Sequence, residues 1–151
     1  MVGVMICGSR TITDVKWVET QIVNYLKEVY ADQEKRFGQG DMDFIIIQGL
    51  ARGVDMIAKE WADKHNLGTW DFPAEWDKYG KSAGYRRNVD MVDRCDYCLI
   101  LWDGQSKWKI TQIALNVIQN ILMKMEAYLF VQNVHTNGQE NQKQQLQKKM
   151  L

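Results

Sequence analysis

Residues 44–62 read Phe-Ile-Ile-Ile-Gln-Gly-Leu-Ala-Arg-Gly-Val-Asp-Met-Ile-Ala-Lys-Glu-Trp-Ala, and two periodicities meet inside them. Phe44-Ile45-Ile46-Ile47 is a short continuous apolar run, the pattern of a parallel strand covered on both faces. After the turn, Val54, Ile57, Ala58 and Trp61 fall on one face of a helix. Strand, glycine-bearing turn, helix is the first half of a βαβ unit, and the same order recurs on either side.

Upstream, Val2 to Cys7 is a second buried strand, closed by Gly8. Thr13 or Asp14 caps a helix whose apolar face is Val15, Val18, Ile22, Leu26 and Val29, expected to end near Tyr30; Lys35 to Asp43, with Gly38 and Gly40, reads as a loop. Downstream, Asn66-Leu67-Gly68 stops the second helix, Thr69 to Phe72 is a short strand, and Ala74 to Lys81 lacks periodicity and reads as a loop. Ser82 is expected to cap a helix running to about Arg94, Tyr97 to Trp102 is a strand, Ile110, Ile113, Ala114, Val117, Ile121 and Met125 mark a long helix, and Ala127 to Val131 is a last strand. Alternation of this kind predicts a three-layer α/β fold with a mostly parallel sheet of about five strands and right-handed crossovers. Residues 1–133 form the domain; 134–151 are a Gln- and Lys-rich segment, either a solvated tail or a short partner-binding helix.

Composition narrows the function classes. In 151 residues, 19 Lys and Arg balance 19 Asp and Glu, so no global field draws the chain to nucleic acid or to an anionic membrane. The absence of a basic leader and of a membrane-length apolar run predicts a cytoplasmic protein without a membrane partner. Cys95-Asp96-Tyr97-Cys98 is a lone pair with Cys7 as the odd third thiol and both histidines far off in sequence, so buried small hydrophobes are expected rather than a metal site. Gly80-Lys81-Ser82 imitates the end of a Walker loop, but Glu75 stands five residues earlier and no strand directly precedes it. Gly38-Gln39-Gly40 precedes a strand, where a dinucleotide fingerprint follows one.

Polar clusters fall just after the strands, where α/β sheets bind ligands. Gly8-Ser9-Arg10 offers close backbone approach, a hydroxyl and a guanidinium, or is a plain turn. Gly49-Leu50-Ala51-Arg52-Gly53-Val54-Asp55 brings amides and a helix N-terminus to the same edge. Asp55, in the first helical turn, either stabilises the helix dipole or accepts from a ligand hydroxyl.

These clusters, with Ala58, Trp61-Ala62, Phe72-Pro73-Ala74, Trp76, Gly80-Lys81, Ala83-Gly84, Arg87-Asn88 and Met91, together resemble the YspA-like branch of the SLOG superfamily over roughly residues 2 to 133. The resemblance implies a Rossmann-like fold, shared with the LOG phosphoribohydrolases and the DprA proteins, and a ligand derived from a nucleotide, NAD or ADP-ribose. It places Gly8, Ser9, Arg10, Gly49, Arg52, Gly53, Asp55, Trp76, Arg87 and Asn88 around that ligand, followed by Asp103, Gly104 and Ser106 in the next turn. In kind, Arg87 suits a phosphate fork, Asn88 a base edge or ribose hydroxyl, and Trp76 a base stack or a hydrophobic plug.

The chain departs from the family at 103–109, Asp-Gly-Gln-Ser-Lys-Trp-Lys, where Trp108 stands in place of a glycine and Lys107 and Lys109 offer charge. The LOG catalytic glutamate has no counterpart in Ile110 to Leu115. Binding with little or no turnover and without a cofactor is therefore expected. The alternatives are a nucleotide hydrolase with Asp55 or Asp103 as base, and DprA-like binding of single strands. The helix from Ser106 to Met125 is apolar enough for both a core face and a contact face, which predicts a homo-oligomer.

Overall fold

The computed structural model describes residues 1–104 and the backbone of 129–133. Its frame is a parallel sheet of four strands, β1 (Val2–Gly8), β2 (Phe44–Gln48), β3 (Gly68–Asp71) and β4 (Tyr97–Trp102), in the order β3-β2-β1-β4. The backbone of β5 (Leu129–Asn133) extends it beyond β4, two residues later than the apolar run suggested. The helices α1 (Val15–Phe37), α2 (Val54–Lys64), the single turn α3 (Trp76–Tyr79) and α4 (Ala83–Val92) complete the described elements, with a 3-10 turn at Gly80–Ser82 joining α3 to α4.

Period-two alternation decides which layer each strand residue joins. Val4 and Ile6 of β1, Ile46 of β2 and Leu99 and Leu101 of β4 pack against Val18, Ile22, Tyr25 and Val29 of α1 and Val54, Ile57, Ala58 and Trp61 of α2. Met5, Ile47, Cys98 and Ile100 face the other way onto Met91 and Val92 of α4. Helices cover both faces of β1, β2 and β4, which is why these three strands read as apolar runs, whereas the edge strand β3 stays largely exposed. Three ties fix the frame's amino edge. Asp96 accepts from the Gly3 amide at 2.8 Å, Tyr25 donates to the buried Cys98 carbonyl at 2.9 Å, and the Tyr97 hydroxyl donates to Asp32 at 2.6 Å.

Three local expectations need correction. The first helix continues past Tyr30 to Phe37, because its polar last turns are supported: Arg36 pairs with Asp32 one turn back along the helix at 2.9 Å, and Gln33 donates to the Tyr97 hydroxyl of β4 at 2.7 Å. It stops at Gly38, in the left-handed region at φ 83°. Ser82 does not cap α4; its hydroxyl donates to the Tyr79 carbonyl, within the 3-10 turn that feeds the helix, and α4 ends at Val92. The stretch 74–81 contains the turn α3. The expected helix over 106–125 and the 134–151 tail lie outside the described residues.

Tyr25→Phe removes the buried hydrogen bond to the Cys98 carbonyl while keeping the ring. It should lower unfolding free energy by about 1 kcal/mol, read as a lower urea midpoint at unchanged slope.

Candidate functional site

The chain runs outward from β1 through β2 to β3 and returns to the other side of β1 as β4, so the connections after β1 and β4 leave in opposite directions. A crevice opens at such a switch point, at the carboxyl ends of the strands. The loops after β1, β2 and β4 all meet there.

Their approach is backbone on backbone. A Cβ at Gly8 would lie 2.2 Å from the Leu101 carbonyl oxygen and 2.6 Å from Val54 Cγ2. A Cβ at Gly53 would lie 2.6 Å from the Ser9 carbonyl oxygen and 2.9 Å from the Arg10 Cα, and Gly53 also sits at φ 83°. Glycine at both positions follows from this clearance. Gly53 stands at the N-cap of α2 without any side-chain cap, so the helix presents its positive end beside Arg10.

Ser9 is fully buried. Its amide donates to the Leu101 carbonyl at 2.9 Å and its hydroxyl accepts from the Asp103 amide at 3.1 Å. Thr11 in turn donates its hydroxyl to the Asp103 carboxylate. Ser9 and Asp103 thus stitch the loop after β1 to the end of β4.

Asp55 is buried to 2% exposure and accepts from the Gly49 amide at 3.1 Å, with the amides of Ala51 and Gly8 also holding its carboxylate. Burial pushes this carboxyl above its ordinary range, while the Arg87 guanidinium and the three amides pull the other way. Of the two roles open to Asp55, the geometry supplies a structural one: it ties the ends of β1 and β2 together from beneath.

Arg87 lies over Gly49, where a Cβ would meet its Nη1 at 2.4 Å, and donates Nη1 to the Gly49 carbonyl. Its Nε donates to the side-chain oxygen of Asn88 at 3.0 Å. Trp76, 51% exposed, rests its ring edge on Gly84, a Cβ there meeting it at 3.3 Å. Gly84 precedes Arg87 and Asn88 by three and four positions, so all three share one face of α4. Arg10 and Arg52 are exposed, and among the described residues neither has an acidic partner within ion-pair distance.

The structure therefore gathers Gly8, Ser9, Arg10, Gly49, Arg52, Gly53, Asp55, Arg87 and Asp103 at one edge, with Asn88 and Trp76 on the α4 side and Gly104 following Asp103. Ser106, Lys107, Trp108 and Lys109 lie outside the described residues. Two contributors escaped the sequence reading. Thr11 carries no pattern, whereas Gln48 stands out as a polar residue ending an isoleucine run and is fully buried. Among the described residues no cluster of His, Cys, Asp and Glu has the geometry to hold a metal ion, and no helix is long and apolar enough to cross a membrane. Cys98 is buried and the burial of Cys95 pushes its thiol up to about 12, so these two thiols stay protonated at neutral pH.

The profile of the YAcAr family, described as the YspA, cpYpsA-related SLOG family, matches residues 2–79. The chain belongs to this SLOG family. It is 33% identical over 109 residues to the Gene 61 protein of Mycobacterium phage D29, covering 68% of this chain and 78% of that one. The DNA processing protein A of Streptococcus pneumoniae has a similar fold, with a TM-score of 0.51 at 15% identity. That similarity covers 90% of this chain but only 52% of the other, so this chain spans about half the length of that structure. Membership carries an association with nucleotide-related binding or processing in general, and the matched residues 2–79 contain the loops after β1 and β2.

Asp55 sets a pH test. Its folded value is raised, so its contribution to stability is fully present below the unfolded value near 4 and declines as pH rises through the folded value. Urea titrations should therefore show the wild type gaining stability relative to Asp55→Asn as pH falls from 7 toward 4. Asp55→Ala, which strands the amides it holds, should lower stability by about 3 kcal/mol at pH 7; a purely catalytic carboxylate would leave stability unchanged.

Proposed function

We propose that the protein binds a nucleotide or an NAD- or ADP-ribose-derived small molecule at the carboxyl edge of β1, β2 and β4, for sensing or sequestration, with little or no turnover. The observation that carries this reading is the glycine-backed meeting of the Ser9–Arg10 and Gly49–Gly53 loops at an uncapped helix N-terminus. A helix start without a side-chain cap, with its positive dipole end, favours a phosphate there. Exposed Arg10 and Arg52 add charge-assisted donors, and Arg87 adds its remaining guanidinium edge. Trp76 offers an exposed ring to a base from the α4 side, with Asn88 beside it.

The same geometry argues for holding over cleaving. Asp55 is buried and held by backbone amides beneath the loops, whereas Asp103 accepts from the Thr11 hydroxyl and keeps further lone pairs. A general base must lie within reach of the proton it removes, which burial denies Asp55. We further propose a homo-oligomer, from the apolar periodicity of Ile110 to Met125, and a cytoplasmic setting, which suits three unpaired cysteines.

Thermal unfolding with ADP-ribose or AMP at a hundredfold excess over Kd should gain about 2.7 kcal/mol, a rise of roughly 5–10 °C. Arg52→Ala should weaken that binding about tenfold without moving the melting temperature of the free protein. Mass spectrometry of ligand released after hours should find it intact. Free base or ribose phosphate at many turnovers per chain would establish the hydrolase instead, and a flat response across nucleotides would reject both.

A further inference from the structure

Gln48 is the last residue of β2 and has no solvent exposure, yet its side chain is a primary amide with four hydrogen-bonding positions. Such a group is retained in a packed strand only where its polar atoms are satisfied. Its Oε1 accepts from the Leu50 amide at 2.6 Å, and its Nε2 donates to Asp71 Oδ1 at 2.5 Å. Only this orientation of the amide serves both partners, since a backbone amide must donate and a carboxylate must accept. The other Asp71 oxygen lies 3.4 Å from Lys59 Nζ, which also pairs with Asp63 at 3.2 Å and donates to Thr69 at 3.3 Å.

The residue at the end of this chain is unusual. Leu50 occupies the left-handed region at φ 55°, a conformation disfavoured for a branched, non-glycine side chain. That turn sets the direction in which the next residues, Ala51, Arg52 and Gly53, leave the strand. Asp55 and Arg87 hold the amide and the carbonyl of Gly49, one residue earlier, and neither bonds Leu50. The contact that holds Leu50 comes from Gln48.

We infer that Gln48 is a positioning residue for the ligand edge, oriented by Asp71 and Lys59, which locks the left-handed turn at Leu50 and so aims the Arg52–Gly53 amides and guanidinium at the bound anion. The inference rests on the reading of this edge as a ligand site. It adds residues on β3 and α2 that do not themselves touch the ligand.

The test exchanges the amide and the carboxylate between the two positions. Gln48→Glu alone keeps an acceptor for Leu50 but sets a carboxylate against Asp71. Gln48→Glu combined with Asp71→Asn restores a donor to the carboxylate at position 48, an acceptor for Leu50 and an acceptor for Lys59. Amide hydrogen exchange at Leu50 should speed up about tenfold in Gln48→Leu and in Gln48→Glu, with the amides of Val4 and Ile6 unaffected, and should return toward wild type in the double variant. Calorimetric affinity for ADP-ribose, used as the probe, should fall about tenfold in the single variants and recover in the double one.

A Leu50 amide that keeps its protection in Gln48→Glu, or a double variant no better than the single, would overturn the inference. So would unchanged ADP-ribose affinity in a variant whose Leu50 amide has lost protection. Failure of the wild type itself to bind ADP-ribose would count against the proposed function, while the exchange measurements would still decide the lock at Leu50. Should Gln48→Leu fail to fold, Gln48→Glu and its rescue by Asp71→Asn carry the same decision.

Discussion

The carboxyl edge of this sheet depends on a single buried carboxylate. Asp55 sits beneath the loops that leave β1 and β2 and receives amides from Gly8, Gly49 and Ala51. Where a strand ends, its last amides and carbonyls lose their ladder partners and, if buried, must be satisfied some other way. One anionic side chain projecting from the first turn of α2 satisfies several at once. Charge-assisted bonds of this kind are roughly twice as strong as neutral ones, which offsets much of the desolvation that burial imposes on the carboxylate. The helix dipole helps as well, since Asp55 lies in the first turn of α2.

Once those ends are tied, the clearances at Gly8 and Gly53 follow. The β1 loop can lie directly on the start of α2 only because neither glycine carries a Cβ that would strike the Leu101 or Ser9 carbonyl. Ser9, buried and bonded to β4 through Leu101 and Asp103, closes the third side. Arg87 comes from above, across the face of Gly49. The result is an edge built largely from backbone held rigid by side chains beneath it, with arginines at the rim. Preorganised donors lose little entropy on binding, so under the proposed anion-binding role this rigidity would contribute to affinity.

How much of this was legible in the sequence depended on whether the signal was local. The strands were legible because burial on both faces writes an unbroken apolar run, as in Val2–Cys7 and Tyr97–Trp102. The glycines and arginines that the fold gathers at the carboxyl edge stood out because their spacing repeats a family pattern. The far end of α1 was not: Asp32 and Gln33 lie past the last apolar position of the helix, and only Tyr97, more than sixty residues later, supplies their partner. Ser82 had the sequence of a cap, but the 3-10 turn before α4 gave its hydroxyl a nearer carbonyl at Tyr79. Asp55 was ambiguous for the same reason, since its amide partners come from three different loop positions that only the fold brings together.

The engaged state of Asp55 bears on what kind of site this edge can be. Hydrolysis of a glycosidic or phosphoester bond needs a group that changes its proton count during the reaction, and such a group must be free to move from one partner to another. Asp55 is held by several amides at once, and losing any of them would leave a buried donor unsatisfied at roughly 1–3 kcal/mol each. A residue restrained in this way resists the reorganisation that proton transfer demands. Arg10 and Arg52 stand in the opposite condition, exposed and without an acidic partner among the described residues, so their binding capacity is unspent. A buried acid committed to the fold, Asp55, beside exposed arginines is the arrangement that the proposed capture of an anion calls for.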